Sequence, residues 1–279
     1  MAVKLIAMDM DGTLVDETFR YTPRTLRTLQ KATQAGITLV VCTGRAYGET
    51  RDDLAPLPAM QYAICSNGAC VLDLNGPRYI VDNGIPFDTA KKLLETLFSY
   101  DCLAEVCIGG SVYAEAKRCA DLEHYHVAQF RDVLFPRYCR VDDPMKIFLE
   151  HGGPVEKVNV LFADMDDRAR AAAQCAGLEV AMSTSVFWDT YKNLEFNHPS
   201  ADKGTALTAL ANLLGYHKDE LMAIGDGGND IPMFEAAGLS VAMGNAPAFV
   251  KAKAAYTTLP NTQDGCAAAI ETLALGGRI

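Results

Sequence analysis

The stretch VKLIAMDMDGT, residues 3–13, decides the fold of this chain. Its first six residues form a short, mainly apolar run, which ends at two acidic residues, Asp9 and Asp11, followed by Gly12. In an open parallel sheet, ligands bind beyond the carboxyl ends of the strands. We therefore expect both carboxylates at that edge, in a loop that Gly12 allows to turn.

Outward from this stretch, helix-like and strand-like segments alternate. Strands are predicted at 37–42 (ITLVVC), 62–65, 221–224 and 240–243. Helices are predicted between Thr22 and Gly36, near 46–54, from 203 to about 214 and near 230–237. This alternation predicts an α/β fold with a doubly wound, parallel, Rossmann-like sheet.

The pattern changes in the middle of the chain. A predicted helix at 88–99 precedes two short strands, LAEVCI (103–108) and SVYAEA (111–116), and the Gly109-Gly110 turn between them predicts an antiparallel hairpin. Further strands are predicted near 145–150, 157–162, 178–182 and 186–191, with a helix near 166–176. We predict an inserted α+β domain at 83–191, within a core domain formed by 1–82 and 192–279.

Composition limits the classes of partner. The chain has 279 residues, enough for two domains, and its 49% hydrophobic and 22% charged residues are the balance of a soluble globular protein. A formal net charge of −10 argues against nucleic acid and against anionic membranes as partners. A small-molecule substrate is expected instead, bound by a monomer or a homodimer.

The cysteines and the start of the chain bear on location. Nine scattered cysteines without a C-x-x-C pair are predicted to be reduced thiols. The apolar run at the N-terminus is interrupted by Lys4 and closes at Asp9, which is too short for a secretory signal. A cytoplasmic protein is expected.

Asp9 and Asp11 suit phosphoryl chemistry. One carboxylate can attack phosphorus and form an acyl phosphate, while the other protonates the leaving group and later deprotonates water. Two adjacent carboxylates repel each other unless a cation offsets their charge. The pair alone is equally consistent with two acidic caps on a surface loop.

Three more polar segments follow or open predicted core elements. Thr43-Gly44-Arg45 follows the strand 37–42 and offers a hydroxyl and backbone N–H groups to a phosphate, although a helix cap explains it as well. Lys203 opens a helix, where its ammonium could neutralise phosphate. Asp226 and Asp230 flank Gly227, Gly228 and Asn229 after another strand, in a pattern that suits Mg²⁺.

In this order, D-x-D-G-T, T-G-R, K-G and G-D-x-x-N-D resemble the four signature motifs of the haloacid dehalogenase superfamily. The insertion between the second and third motifs resembles the α+β cap (C2B-type) of its Cof-type phosphatases. Further local matches are Asn67-Gly68-Ala69, the Lys203–Leu207 run, NDIPMFEAAG (229–238) and Met243-Gly244-Asn245-Ala246. The resemblance covers essentially the whole chain.

The resemblance implies a Mg²⁺-dependent phosphatase of small phosphorylated metabolites, such as sugar phosphates or phosphorylated cofactors. It implies Asp9 as nucleophile and Asp11 as general acid and base. The implied metal residues are Asp9, Asp11 (through its carbonyl oxygen), Asp226 and, in support, Asp230. The implied phosphate-binding residues are Thr43, Gly44, Lys203 and Asn229, with Arg45 as a further candidate for substrate contact.

Two features depart from the family pattern. Two glycines stand between Asp226 and Asn229, which could loosen the metal loop, and Asp202 could either neutralise Lys203 or cap its helix.

Two other functions stay open. A phosphosugar mutase of the same superfamily would return the phosphoryl group to a sugar. A non-catalytic regulator would only bind a phosphorylated ligand.

Overall fold

The computed structural model describes residues 2–16, 19–57, 60–76, 78–132, 135–184 and 193–276. The strands are β1 (Leu5–Asp9), β2 (Thr38–Cys42), β3 (Tyr62–Cys65), β4 (Cys70–Asp73), β5 (Arg78–Asp82), β6 (Cys102–Ile108), β7 (Ser111–Glu115), β8 (Cys139–Val141), β9 (Lys157–Phe162), β10 (Ala181–Ser183), β11 (Asn193–Asn197), β12 (Leu221–Gly225), β13 (Leu239–Ala242) and β14 (Tyr256–Thr257). The helices are α1 (Pro23–Gln34), α2 (Tyr47–Leu54), α3 (Phe87–Leu97), α4 (Ala116–Cys119), α5 (Pro144–His151), α6 (Met165–Cys175), α7 (Lys203–Leu214), α8 (Ile231–Ala236), α9 (Ala248–Lys251) and α10 (Gly265–Ala269).

Contacts between Cα atoms divide the chain into two compact units. The first unit comprises Met1–Gly44, Asp53–Asp82 and Asp202–Ile279, and the second comprises Arg45–Asp52 and Asn83–Ala201. This division differs from the predicted insertion at 83–191 in two places. It adds the short segment Arg45–Asp52 to the second unit, and it also adds 193–201, because β11 pairs with β9. The predicted boundary between 191 and 192 lies outside the described residues.

The first unit is built on an eight-stranded sheet in the order β14-β13-β12-β1-β2-β3-β4-β5. The strands from β14 to β3 are parallel, and β4 and β5 extend the edge in antiparallel fashion. The predicted α/β fold with a doubly wound parallel core is confirmed. The chain leaves β1 toward β2 on one side and returns through β12 on the other, which places a crevice at the carboxyl end of β1.

Helix starts in the first unit follow from local side chains. Thr22 caps α1, because its hydroxyl accepts the N–H of Thr25, and Pro23 occupies the first turn. Asp202 caps α7, because its Oδ1 accepts the backbone N–H of Thr205 over 2.8 Å. Of the two roles considered for Asp202, the helix cap is therefore the one that its hydrogen bonds support. Apolar side chains of α7, including Leu207 and Leu210, pack in the core cluster that holds β1.

The second unit has a six-stranded sheet in the order β10-β11-β9-β6-β7-β8, which is antiparallel except between β7 and β8. The predicted hairpin is present as β6 and β7. The predicted strand at 145–150 is wrong: these residues lie in α5, which Asp143 caps and which ends at Gly152 with a positive φ of 66°. The predicted strand at 186–191 lies outside the described residues.

Two further findings concern the whole of the described chain. All nine cysteines are free, and eight of them are buried. Within the residues that the structure describes, every helix is too short or too polar to cross a bilayer.

Candidate functional site

Asp9 and Lys203 form the centre of the site. Asp9 is the last residue of β1, where its register partner on β2 is Cys42, and Lys203 is the first residue of α7. The ammonium Nζ of Lys203 donates to Oδ1 of Asp9 over 2.5 Å and to Oδ1 of Asp230 over 2.6 Å. Both lysine and Asp230 are almost fully buried, whereas 8% of Asp9 remains exposed. The cation is thus held between two carboxylates, one of which still reaches solvent.

Asp230 organises the loop that follows β12. Its Oδ2 accepts the backbone N–H of Asp226 and that of Gly227, each over 2.8 Å. With Lys203 on Oδ1, both of its oxygens are engaged. Asp230 therefore fixes the backbone that carries Asp226 instead of offering a free carboxylate. The loop that contains Gly227 and Gly228 is therefore held by hydrogen bonds to Asp230.

Asp226 faces the loop that follows β1. Its Oδ1 accepts the hydroxyl of Thr13 over 3.0 Å. Asn245 donates through Nδ2 to Oδ2 of Asp226 over 3.2 Å and to the carbonyl oxygen of Gly12 over 2.9 Å. Gly12 has a φ of +75°, and a Cβ there would collide with the carboxylate of Asp226. Only glycine allows the two loops to approach this closely.

Negative charge exceeds positive charge at the site. Burial raises the pKa of Asp9 well above its usual range, and the carboxylate of Asp230 raises it further, against the opposing effect of Lys203. Burial, with Asp230 next, also raises the pKa of Asp226 to about 6. Burial works against the charge of Lys203, but Asp230 and Asp9 outweigh it and raise the lysine pKa.

The donor set fits a hard dication. Among the described residues, carboxylate oxygens of Asp9, Asp226 and Asp230 lie within 4.8 Å of one another, and those of Asp230 also accept hydrogen bonds from Lys203 and the loop backbone. Carboxylate oxygens are the ligands that Mg²⁺ prefers. Lys203 balances one of the three negative charges, and a dication would balance the other two and reverse the rise in the pKa of Asp9 and Asp226.

Three other predicted residues, Thr43, Gly44 and Asn229, belong to the same unit as this centre. Thr43 is buried directly after β2, and its N–H donates to the carbonyl oxygen of Ile64 over 2.8 Å. Gly44 follows it at the end of the first unit's opening segment. Asn229 is exposed on the short 3-10 helix Gly228–Asp230, and its Nδ2 donates to Oδ1 of Asn67 over 3.3 Å.

Two further predicted residues, Asp11 and Arg45, are not members of the carboxylate cluster. Asp11 is half-buried after β1, and its side chain is not among the three clustered carboxylates. Its negative charge nevertheless contributes to the raised pKa of both Asp9 and Asp226. Arg45 is buried and belongs to the second unit. The acid and base role of Asp11 and the substrate contact of Arg45 stay predictions.

Thr13 and Asn245 were missing from the predicted site. Thr13 belongs to the D-x-D-G-T motif, but nothing in that pattern indicates that its hydroxyl bonds Asp226, which is 213 positions away. Asn245 lies in the stretch Met243–Ala246, to which the family resemblance assigns no role. Asn245 follows a buried strand, as the predicted site residues at the sheet edge do, and this position is the sequence signal that could have identified it.

Comparisons with known proteins show the family of the chain. The family model described as haloacid dehalogenase-like hydrolase matches residues 6–270. The chain is 30% identical over 282 residues to the phosphatase YwpJ of Bacillus subtilis, covering 95% of this chain and 98% of that one. It is 27% identical to the pyridoxal phosphate phosphatase YbhA of Escherichia coli, covering 96% and 97% of the two chains. A solved haloacid dehalogenase-like hydrolase from B. subtilis matches with a TM-score of 0.80 and 28% identity, covering 97% of this chain and 100% of the other.

Proposed function

The chain belongs to the haloacid dehalogenase-like hydrolases and is a phosphoric monoester hydrolase, and on that premise we propose that it is Mg²⁺-dependent and works through an aspartyl phosphate on Asp9. The substrates that we propose are small phosphorylated metabolites, either sugar phosphates or phosphorylated cofactors. The observation that carries the mechanism is the position of Lys203 between Asp9 and Asp230, 2.5 and 2.6 Å from their oxygens.

Asp9 is the proposed nucleophile. It ends the central strand β1 at the carboxyl edge of the sheet. The buried Lys203 contacts both Asp9 and Asp230, and of these two carboxylates only Asp9 stays partly accessible to solvent. A carboxylate attacks phosphorus only when ionised, and Lys203 favours that form. The attack would join an Asp9 oxygen to phosphorus as the bond to the leaving-group oxygen breaks.

Asp11, Thr43 and Lys203 have the remaining proposed roles. Asp11 would give its proton to the departing oxygen and then accept a proton from the water that cleaves the aspartyl phosphate. Lys203, the Thr43-Gly44 turn and Asn229 would hold the phosphoryl oxygens. Phosphoryl transfer depends mainly on such positioning and on charge stabilisation.

The proposed residues for Mg²⁺ are Asp9, Asp226 and the carbonyl oxygen of Asp11, with Asp230 holding the loop. The ion would supply positive charge that offsets the negative charge of the phosphoryl oxygens and of the carboxylates. Thr13 and Asn245 would orient Asp226 through their hydrogen bonds to its two oxygens.

The test is phosphate release from a panel of sugar phosphates and phosphorylated cofactors, with Mg²⁺ and with excess EDTA. Pyridoxal phosphate belongs in the panel because the E. coli relative is named for it. We expect release that requires Mg²⁺ and that is abolished in Asp9→Asn, while the circular dichroism spectrum of the variant is unchanged. Equal release by Asp9→Asn would refute the nucleophile. A sugar phosphate isomerised only after addition of a sugar bisphosphate would favour a mutase.

A further inference from the structure

The turn Ser66–Gly68, which follows β3, has an unusual backbone. Ser66, Asn67 and Gly68 have φ values of +52°, +58° and +97°, so three consecutive residues adopt positive φ. Non-glycine residues rarely adopt this conformation, which costs on the order of 1 kcal/mol for each. Such a backbone persists where its surroundings hold it, and it occurs often at functional sites.

Asn67 joins two segments of the proposed phosphate site. Its backbone N–H donates to the carbonyl oxygen of Thr43 over 3.1 Å. Its side chain lies against Gly44, where an added Cβ would come within 2.8 Å of Oδ1 of Asn67. The same Oδ1 accepts the carboxamide of Asn229 over 3.3 Å. The amide of Asn67 is therefore placed between the Thr43-Gly44 turn and Asn229.

Gly68 extends these contacts to a third segment. A Cβ on Gly68 would collide with the carbonyl oxygen of Asp202, the residue that caps α7 and immediately precedes Lys203. The backbone of the turn thus packs directly on the start of the helix that carries the lysine. The turn contacts all three segments that supply the proposed phosphoryl-binding residues: Thr43-Gly44, Lys203 and Asn229.

Resting on the proposed function, we propose that Asn67 is a positioning residue of the phosphoryl-binding site. Its Oδ1 orients the carboxamide of Asn229, and its position over Gly44 sets the distance between this carboxamide and the Thr43-Gly44 turn. Asparagine suits the position because it tolerates positive φ and still offers an acceptor.

The test measures binding of orthovanadate, a phosphate analogue that can adopt the five-coordinate geometry of phosphoryl transfer, in the presence of Mg²⁺ by isothermal titration. Asn67→Gly removes the amide without adding backbone strain. We expect it to weaken vanadate binding about tenfold, as the loss of a hydrogen bond near a charged ligand does. Binding of Mg²⁺ alone and the thermal midpoint should stay unchanged. Asn67→Asp keeps the acceptor but adds a negative charge, so it should weaken vanadate binding more than Asn67→Gly does.

Asn75→Gly, in the exposed turn between β4 and β5, is the matched control and should bind vanadate like the wild type. Wild-type affinity in Asn67→Gly would overturn the proposal. So would a parallel loss of vanadate binding, Mg²⁺ binding and thermal stability, since that pattern indicates a purely structural turn. If the wild type binds vanadate but releases phosphate from no substrate, the proposed hydrolysis fails while the role of Asn67 stands. If the wild type does not bind vanadate, both are refuted.

Discussion

The ammonium of Lys203 lies 2.5 Å from Oδ1 of Asp9, although the two residues are 194 positions apart in the chain. The whole second unit intervenes between them in sequence. Their contact exists because β1 is central in the sheet and α7 re-enters the same unit. A buried ion pair of this kind costs desolvation, and replacing one partner leaves the other uncompensated.

Lys203→Met should lower both activity and stability. Removal of the ammonium takes away a proposed donor to the phosphoryl oxygens, which we expect to lower kcat by about 10²–10³-fold. It also leaves Asp9 and Asp230 without their shared cation, so the free energy of unfolding should fall by about 3–5 kcal/mol without added Mg²⁺. Urea unfolding and phosphate release measure the two effects. Lys218→Met, an exposed lysine that donates to the carbonyl oxygen of Glu235, is the control and should change neither by much.

Asp230→Asn should weaken Mg²⁺ binding through the loop. An asparagine has one acceptor oxygen, whereas Asp230 accepts from Lys203 on one oxygen and from two backbone N–H groups on the other. Its amide NH₂ would face another donor, so the backbone of Asp226 would shift. Loss of such a support typically lowers metal affinity by about 10–100-fold. Titration with Mg²⁺ measures this, and the exposed Asp219→Asn is the control. Unchanged affinity in Asp230→Asn would show that the loop holds without it.

The alternation of apolar runs and acidic turns was sufficient to predict the core. Each predicted motif follows or opens a core element, and the rule that parallel strands share a carboxyl edge brought Asp9, Thr43 and Asp226 to one side. That rule does not predict individual hydrogen bonds. The bonds of Asn245 to Asp226 and to Gly12 depend on how two loops meet, and the sequence pattern carries no distances.

The second unit was harder to predict, for a physical reason. The run MKIFLE (145–150) is apolar enough for a strand, but Asp143 and Pro144 start a helix there, and the cap outweighs the apolar content. β11 gives a weak strand signal because asparagine and glutamate, which strands disfavour, make up three of its five residues, although their alternation with apolar residues is typical of a strand. These polar residues are buried in the structure, where Asn193 bonds Asn159 over 3.0 Å.

The two glycines Gly225 and Gly228 give a matched pair of predictions for the metal loop. A Cβ on Gly225 would lie 2.5 Å from Cγ and 2.6 Å from Cβ of Asp230, so Gly225→Ala must displace that buried carboxylate. We expect it to cost about 1–3 kcal/mol of stability and most of the activity. A Cβ on Gly228 would meet only the ring of Phe249, at 3.5 Å, which is ordinary contact. Gly228→Ala should therefore match the wild type in thermal midpoint and phosphate release, and a loss there would refute this account of the loop.

Glu105 gives the second unit a pH-dependent stability. Burial and, next, the charge of Glu49 raise the pKa of this carboxyl, and against the opposing hydrogen bonds from Asn159 and Tyr138 the net result is a rise from 4.5 to about 8. Between these pH values the folded protein keeps a proton that the unfolded chain has lost. The free energy of unfolding should therefore fall as pH rises from 4.5 to 8, with a slope from this group of at most about 1.4 kcal/mol per pH unit.

Glu105→Gln should remove this part of the pH dependence, because the amide stays neutral and still accepts the hydroxyl of Tyr138. Urea unfolding at pH 5, 6.5 and 8 measures the slope for the wild type and the variant. Glu150→Gln, an exposed glutamate on α5, should keep the wild-type slope. The assignment to Glu105 fails if its variant loses stability with pH as steeply as the wild type does, since the proton would then belong to another group.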